Sequence, residues 1–188
     1  MKNVHRLSAW FYRKTSLGLV GLFLGLQVLS VAVILPRFEA SLAKYAPLKI
    51  LDLRFGFSPA EAHELLEALG EPGRAYYRLL ETTLDLVYPW IYTGLFVLLL
   101  SLLYRQAIAV GSGLRLVNLL PFLVLLMDYL ENAGIVRMIN GFPEQSDALA
   151  RWVSGLNQAK WIAFFVVVGI AVFGLGRAGL GYLRKRKR

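Results

Sequence analysis

LDLVYPWIYTGLFVLLLSLLY, residues 84–104, decides the fold. Its twenty-one residues hold one charge, Asp85, and no lysine or arginine. A helix needs about 20 apolar residues to cross a bilayer, so this stretch reads as a transmembrane span. Three more stretches pass the same test: 17–36, 114–138 and 161–182. The expectation is an all-α, four-helix transmembrane bundle, a single integral membrane domain over 1–188. The long connections 37–83 and 139–160 are its outer loops. The first apolar run, nineteen residues from Leu17 to Leu35, exceeds the ~7–15 of a signal peptide, so an uncleaved anchor is expected.

Composition agrees. Hydrophobic residues make up 57% and charged residues 18% of the 188, which argues against a disordered chain. There is no cysteine, which excludes disulfides, thiol nucleophiles, Cys-ligated zinc and iron–sulfur clusters. The two histidines, His5 and His63, lie outside the apolar runs, which excludes a haem held between membrane histidines. No metal and no cofactor are expected, and His63 beside Glu64 reads as an ordinary exposed histidine.

Charge sets the orientation. Segments 1–16, 105–115 and 177–188 carry four, two and six basic residues and no acid. Segments 37–83 and 137–160 carry nine basic and nine acidic residues. Basic residues collect on the cytoplasmic side. Both termini are therefore expected inside, in a cell membrane of bacterial inner-membrane type. The tail Arg184–Arg188 follows a span directly, so it is expected to meet anionic headgroups rather than nucleic acid. Trp10, Phe11, Tyr12, Tyr104, Trp152, Trp161 and Tyr182 fall near the expected span ends, as interfacial aromatics do.

The loop 37–83 is too long for a plain connection. Ser58-Pro59-Ala60-Glu61 has the form of a capping box with proline at the first helical position. Ala62, Leu65, Leu66 and Leu69 then follow on one face and Gly70 stops the run. Residues 59–69 are expected to form a short amphipathic helix, either a lid over a pocket or a packed cover for the helix ends. From Pro72 a second helix is expected to run into the span at 84.

The chemistry is expected in the third run, Met127-Asp128-Tyr129-Leu130-Glu131-Asn132-Ala133-Gly134. Asp128, Glu131 and Asn132 share a helical face. Ionisable groups inside a span are costly and default to functional candidates. At ~1.5 Å per residue, Asp128 lies roughly 13 Å from the outer end, and Tyr88 and Tyr92 of the second span reach similar depth. Asp85, Tyr88, Pro89 and Tyr92 form the matching face. Ligand-binding residues are therefore expected at Asp128, Glu131, Asn132, Asp85, Tyr88 and Tyr92, with Gln27 and Ser30 within reach. Two carboxyls this close in a low dielectric are not expected both to ionise, which suits proton transfer or a cationic ligand. Against this stands a structural role, with each intramembrane hydrogen bond worth only ~0.6–2 kcal/mol. Gly21 and Gly25 form a small-residue face suited to helix contact, including contact with a second copy.

Asp-x-x-Glu-Asn in the third span, with a helical outer loop and Leu84-Asp85-Leu86-Val87-Tyr88-Pro89 before it, resembles small four-span bacterial membrane proteins, most with no assigned function. The layout also resembles the EXPERA group of sterol isomerases and sigma-2-type receptors. That resemblance implies a ligand cavity among the spans, with Asp85, Asp128 and Glu131 as its acids. The isomerases use a cavity histidine, and no span here contains one, so only the cavity carries over. The reading is an outward-facing polar cavity that binds a lipid-like or amphipathic ligand. A small transporter or proton-coupled protein, an intramembrane acid–base enzyme and a structural subunit are the alternatives.

Overall fold

The computed structural model describes residues 2–144 and 146–186, with side chains to residue 180. All regular structure among them is helical. Helix α1 spans Lys2–Lys14. Helix α2 spans Leu17–Leu42, α3 Pro59–Tyr104, α4 Pro121–Gly141 and α5 Asp147–Arg186. A 3-10 segment, Gly113–Leu119, leads into α4. Three helices are long and apolar enough to cross a membrane, and the 3-10 segment with α4 forms a further bent pair. Leu22, Val28, Phe165, Val172 and Phe173 stand more than half exposed on these helices. So much exposed aliphatic and aromatic surface marks a membrane protein rather than a water-soluble one.

The local chemistry explains each element. Ser16 caps α2 by accepting a hydrogen bond from the Leu19 amide at 3.2 Å. The first run extends six residues beyond the expected 36, because Pro36 is carried inside the helix. A π turn over Ser30–Ile34 precedes it, with the Leu35 amide reaching back to the Ser30 carbonyl. Proline has no amide and crowds the turn before it, and a widened turn relieves both problems.

Helix α3 opens with the capping box, Ser58 and Glu61 bonding each other's amides at 3.2 and 2.7 Å. These bonds to Ser58 hold the exposed Glu61 carboxyl below its ordinary pKa. Gly70, at φ 61°, interrupts α3, and the helix resumes through Pro72 to Tyr104. The amphipathic turns 59–69 bury Ala62, Leu65, Leu66 and Leu69 against Ile135, Ile139, Ala150 and Val153. Each buried leucine stabilises by about 1.5–3 kcal/mol.

The sequence places Pro121 inside the expected third span 114–138, where a proline interrupts the helix, and the structure breaks there. Residues 113–119 wind as 3-10 helix and α4 starts at Pro121, with a bend of 43° between them. A proline at the first position of a helix costs nothing there, but its ring bars a regular α-helix from passing through. Helix α5 also starts fourteen residues before the expected 161, at Asp147, with Ser146 bonding the Leu149 amide at 3.2 Å. The expected loop 139–160 is therefore mostly helix.

Two apolar clusters form. One, at the end that carries residues 43–58, holds Leu42, Leu51, Phe57, Leu65, Tyr77, Ile135 and Val153. The other, toward α1, holds Tyr12, Tyr92, Leu100, Tyr104, Val124 and Val167. Close approach is made at particular glycines. Gly94 lets the Phe23 ring of α2 sit against α3, and Gly134 accepts Val153 of α5 against α4. Gly174 packs on Leu103 and Tyr104, while a Cβ added at Gly21, Gly25, Gly169 or Gly176 would meet no neighbour within 4 Å among the described residues.

Candidate functional site

Helices α3, α4 and α5 each cross from one apolar cluster to the other, and the polar residues lie in the layer between. On α4, Asp128 and Glu131 fall between Val124 and Ile135. On α5, Asn157 and Lys160 fall between Val153 and Val167. On α3, Glu81 and Asp85 fall between Leu80 and Tyr92.

Lys160 is the centre of this layer. Its Nζ lies 2.6 Å from Glu131 Oε2 and 3.2 Å from Asp128 Oδ1. The Glu131 side chain has no exposed surface, and those of Lys160 and Asp128 show 11% and 12%. The other oxygen of each acid is bonded too. The Tyr92 hydroxyl donates to Asp128 Oδ2 at 2.7 Å, and Asn157 Nδ2 donates to Glu131 Oε1 at 2.7 Å. Buried charges survive when paired and hydrogen-bonded in this way.

The irregular segment 43–58 closes one side. Lys160 Nζ, Asn157 Nδ2 and Trp161 Nε1 all donate to the Asp52 carbonyl, at 3.4, 3.3 and 3.3 Å. The Tyr77 hydroxyl donates to Asp52 Oδ1 at 3.0 Å and accepts from the Leu51 amide at 3.2 Å. Asn157 Oδ1 and Ser154 Oγ accept from the amides of Gly56 and Phe57, at 2.7 and 2.8 Å. Gly56 has φ 79°, and a Cβ there would run into Gln158. One face of α5 thus holds the segment down through four side chains. Burial pushes the Asp52 carboxyl above its ordinary pKa, while Lys160 and the Tyr77 hydrogen bond pull it back in part.

A cavity of about 140 Å³ opens beside the layer. Asp52, Asp85, Tyr88, Tyr92, Asp128 and Lys160 supply its polar wall, and Leu35, Val124 and Phe164 part of its apolar wall.

Of the residues expected from sequence, Asp128 and Tyr92 meet directly, and Asp85 and Tyr88 line the same cavity. Gln27 reaches the site, its Nε2 donating to the Tyr88 hydroxyl at 2.9 Å. Glu131 turns to Lys160 and Asn157 and does not line the cavity. Asn132 donates to the Asp85 carbonyl at 3.1 Å, tying α4 to α3 rather than facing a ligand. His63 stacks against Phe142 and sits 3.8 Å from Glu67, away from this layer. Among the described residues no cluster has the make-up of a metal site. The side chains of Tyr182 and of the tail Arg184–Arg188 lie outside those described.

Lys160, Asn157, Asp52 and Glu81 are the residues that sequence reasoning missed. Lys160 directly precedes the apolar run 161–182, and by sequence it belongs to the connection before that run. Its signal was available: Ser154, Asn157 and Lys160 recur every three residues, a polar stripe at helical spacing. Glu81 is buried at 1% exposure, and neither of its carboxyl oxygens has a hydrogen-bond partner among the described residues.

No family model matches the chain, and no curated protein or solved structure matches it either.

Proposed function

We propose that this chain is a four-span integral membrane protein whose polar cavity binds the head of a lipid-like or amphipathic small molecule. The bent 3-10 and α4 pair counts as the third span in this reading. The charge asymmetry puts both termini in the cytoplasm of a bacterial cell, with the cavity in the outer half of the membrane. The observation that carries the proposal is the cavity wall: three carboxyls, two tyrosines and one lysine together with aliphatic and aromatic carbon. Convergent polar groups in an otherwise apolar recess are the usual make-up of a ligand site. At about 140 Å³ the recess takes a head group and not a whole lipid. The tail would leave past Leu35 and Phe164.

Asp128 and Glu131 are committed to Lys160, so changing them tests folding as much as binding. Asp85 forms no ion pair among the described residues, and it and Tyr88 are the cleaner probes. Native mass spectrometry of the protein in mild detergent should show a retained small molecule. Asp85→Asn and Tyr88→Phe should lose it while keeping the wild-type melting temperature. Wild-type retention in both variants would remove the support for this site.

A proton-coupled role is the second reading. It is favoured by Glu81, a buried carboxyl with no hydrogen-bond partner in the same polar layer. Proton uptake by proteoliposomes that is lost in Glu81→Gln would support it.

A further inference from the structure

Helix α1 does not continue into α2. It breaks at Thr15 and Ser16 and packs across the 3-10 segment and the end of α3. The junction is polar and specific. The Ser8 hydroxyl lies 2.8 Å from Asn118 Oδ1, and Asn118 Nδ2 donates to the Ser8 carbonyl at 3.2 Å and to Ser101 Oγ at 2.9 Å. The Tyr12 hydroxyl donates to the Arg115 carbonyl at 3.1 Å. The buried face of α1 is thus fixed by Ser8 and Tyr12.

That anchoring turns a second face of α1 toward the connection 105–112. Arg6 and Arg13 are seven residues apart, two helical turns, and therefore share that face. With Trp10, Ser112 and Arg115 they line a hollow of about 800 Å³. Arg115 is held in place there. Its guanidinium lies 4.3 Å from the Tyr12 ring centroid and Nη2 donates to the Arg105 carbonyl at 3.2 Å. Its Nε is buried with no hydrogen-bond partner. No acidic side chain lines the hollow, and among the described residues none of the three arginines forms an ion pair.

Three guanidinium groups converging on one hollow repel one another and leave donors unused. An anion with several acceptor oxygens answers both, and arginine forks match phosphate geometry. Beside the arginines, Val4, Leu7 and Trp10 each expose almost half of their surface. A helix with exposed apolar residues flanking arginines is suited to the membrane interface. We propose that this hollow is a binding site for the phosphodiester headgroup of an anionic phospholipid. Arg6, Arg13 and Arg115 hold the phosphate, and Val4, Leu7 and Trp10 lie along the acyl chains.

The test titrates the purified full-length protein with phosphatidylglycerol or with phosphatidylcholine of identical acyl chains and reads bound lipid by native mass spectrometry. Wild type should retain the anionic lipid in clear preference. The double variant Arg6→Gln/Arg13→Gln, at exposed positions, should lose that preference by about 30-fold, roughly five-fold for each charge. Rising potassium chloride should weaken retention in wild type, and millimolar inorganic phosphate should not displace the lipid. Equal retention of the two lipids by wild type overturns the site, and that comparison needs no variant to fold. An unchanged preference in the double variant overturns it as well. Displacement by inorganic phosphate would overturn the assignment to a lipid in favour of a soluble phosphate. Neither arginine lines the cavity among the spans, so failure here leaves the reading of that cavity untouched.

Discussion

Removing the Lys160 charge is the sharpest perturbation of the polar layer. At an effective dielectric of about 20, an ammonium 2.6 Å from one carboxylate and 3.2 Å from a second gains roughly 6 and 5 kcal/mol of Coulomb attraction. Desolvating three charges takes most of this back, so the intact cluster contributes little net stability. Breaking it is different. In Lys160→Met, Glu131 has no contact with water and loses its counter-charge, and Asp128 is nearly as enclosed. Such a change costs about 3–5 kcal/mol. For a chain of this size that lowers the melting temperature by roughly 6–20 °C. The assay is equilibrium unfolding in detergent, followed by tryptophan fluorescence. The cycle is completed with Glu131→Gln alone and in the Lys160→Met background. The glutamine should be costly with the lysine present and should recover about 1–3 kcal/mol when it is absent. A Lys160→Met protein within about 1 kcal/mol of wild type, or strictly additive variants, would refute the central place of this lysine.

Four further outcomes are expected. Asp52 carries a folded-state pKa raised by burial, so its contribution to stability is full below its unfolded pKa and is lost as pH rises through the folded value. Asp52→Asn mimics the protonated acid and keeps an acceptor for Tyr77. It should therefore stabilise near neutral pH, with the gain vanishing in acid; a pH-independent difference would contradict this. Cysteines placed at the buried Leu65 and Leu69 should react with a soluble maleimide far more slowly than at the exposed Glu64 and Glu67, and equal rates would show 59–69 undocked. Ser58→Ala removes the α3 cap and should cost about 1 kcal/mol in the same unfolding assay; no loss would show that the cap contributes nothing. A reporter fused after Arg188 should be active only in the cytoplasm, and external activity would reject the proposed orientation.

The apolar runs and the start and interruption of α3 were legible in the sequence, because they depend on neighbours within a few residues, whereas the end of α2 and the start of α5 were not. Ser58-Pro59-Ala60-Glu61 forms its cap from its own four residues, and Gly70 interrupts α3 through its own backbone freedom. The acids at Asp128 and Glu131 stood out because a charge inside an apolar run is costly wherever the run is packed. Helical rise was enough to bring Tyr88 and Tyr92 to the depth of the acids, and the structure decides that Tyr92 is the one that meets Asp128.

Tertiary structure alone decided what those acids face. Lys160 meets Glu131 across 29 residues of chain and Asp128 across 32. That meeting requires α5 to begin at Asp147 and to lie against α4 where Gly134 admits Val153. Asp52 enters from a segment with no helical or strand periodicity, and only its hydrogen bonds to Asn157, Lys160, Trp161 and Tyr77 give it a place. The same holds for α1, whose position rests on Ser8 and Tyr12 meeting Asn118 and Arg115 more than a hundred residues away. A capping box is written in contiguous residues because its bonds are local. A buried ion pair is not, since the energy that justifies burying Lys160 exists only once α4 and α5 have brought its counter-charges within about 3 Å.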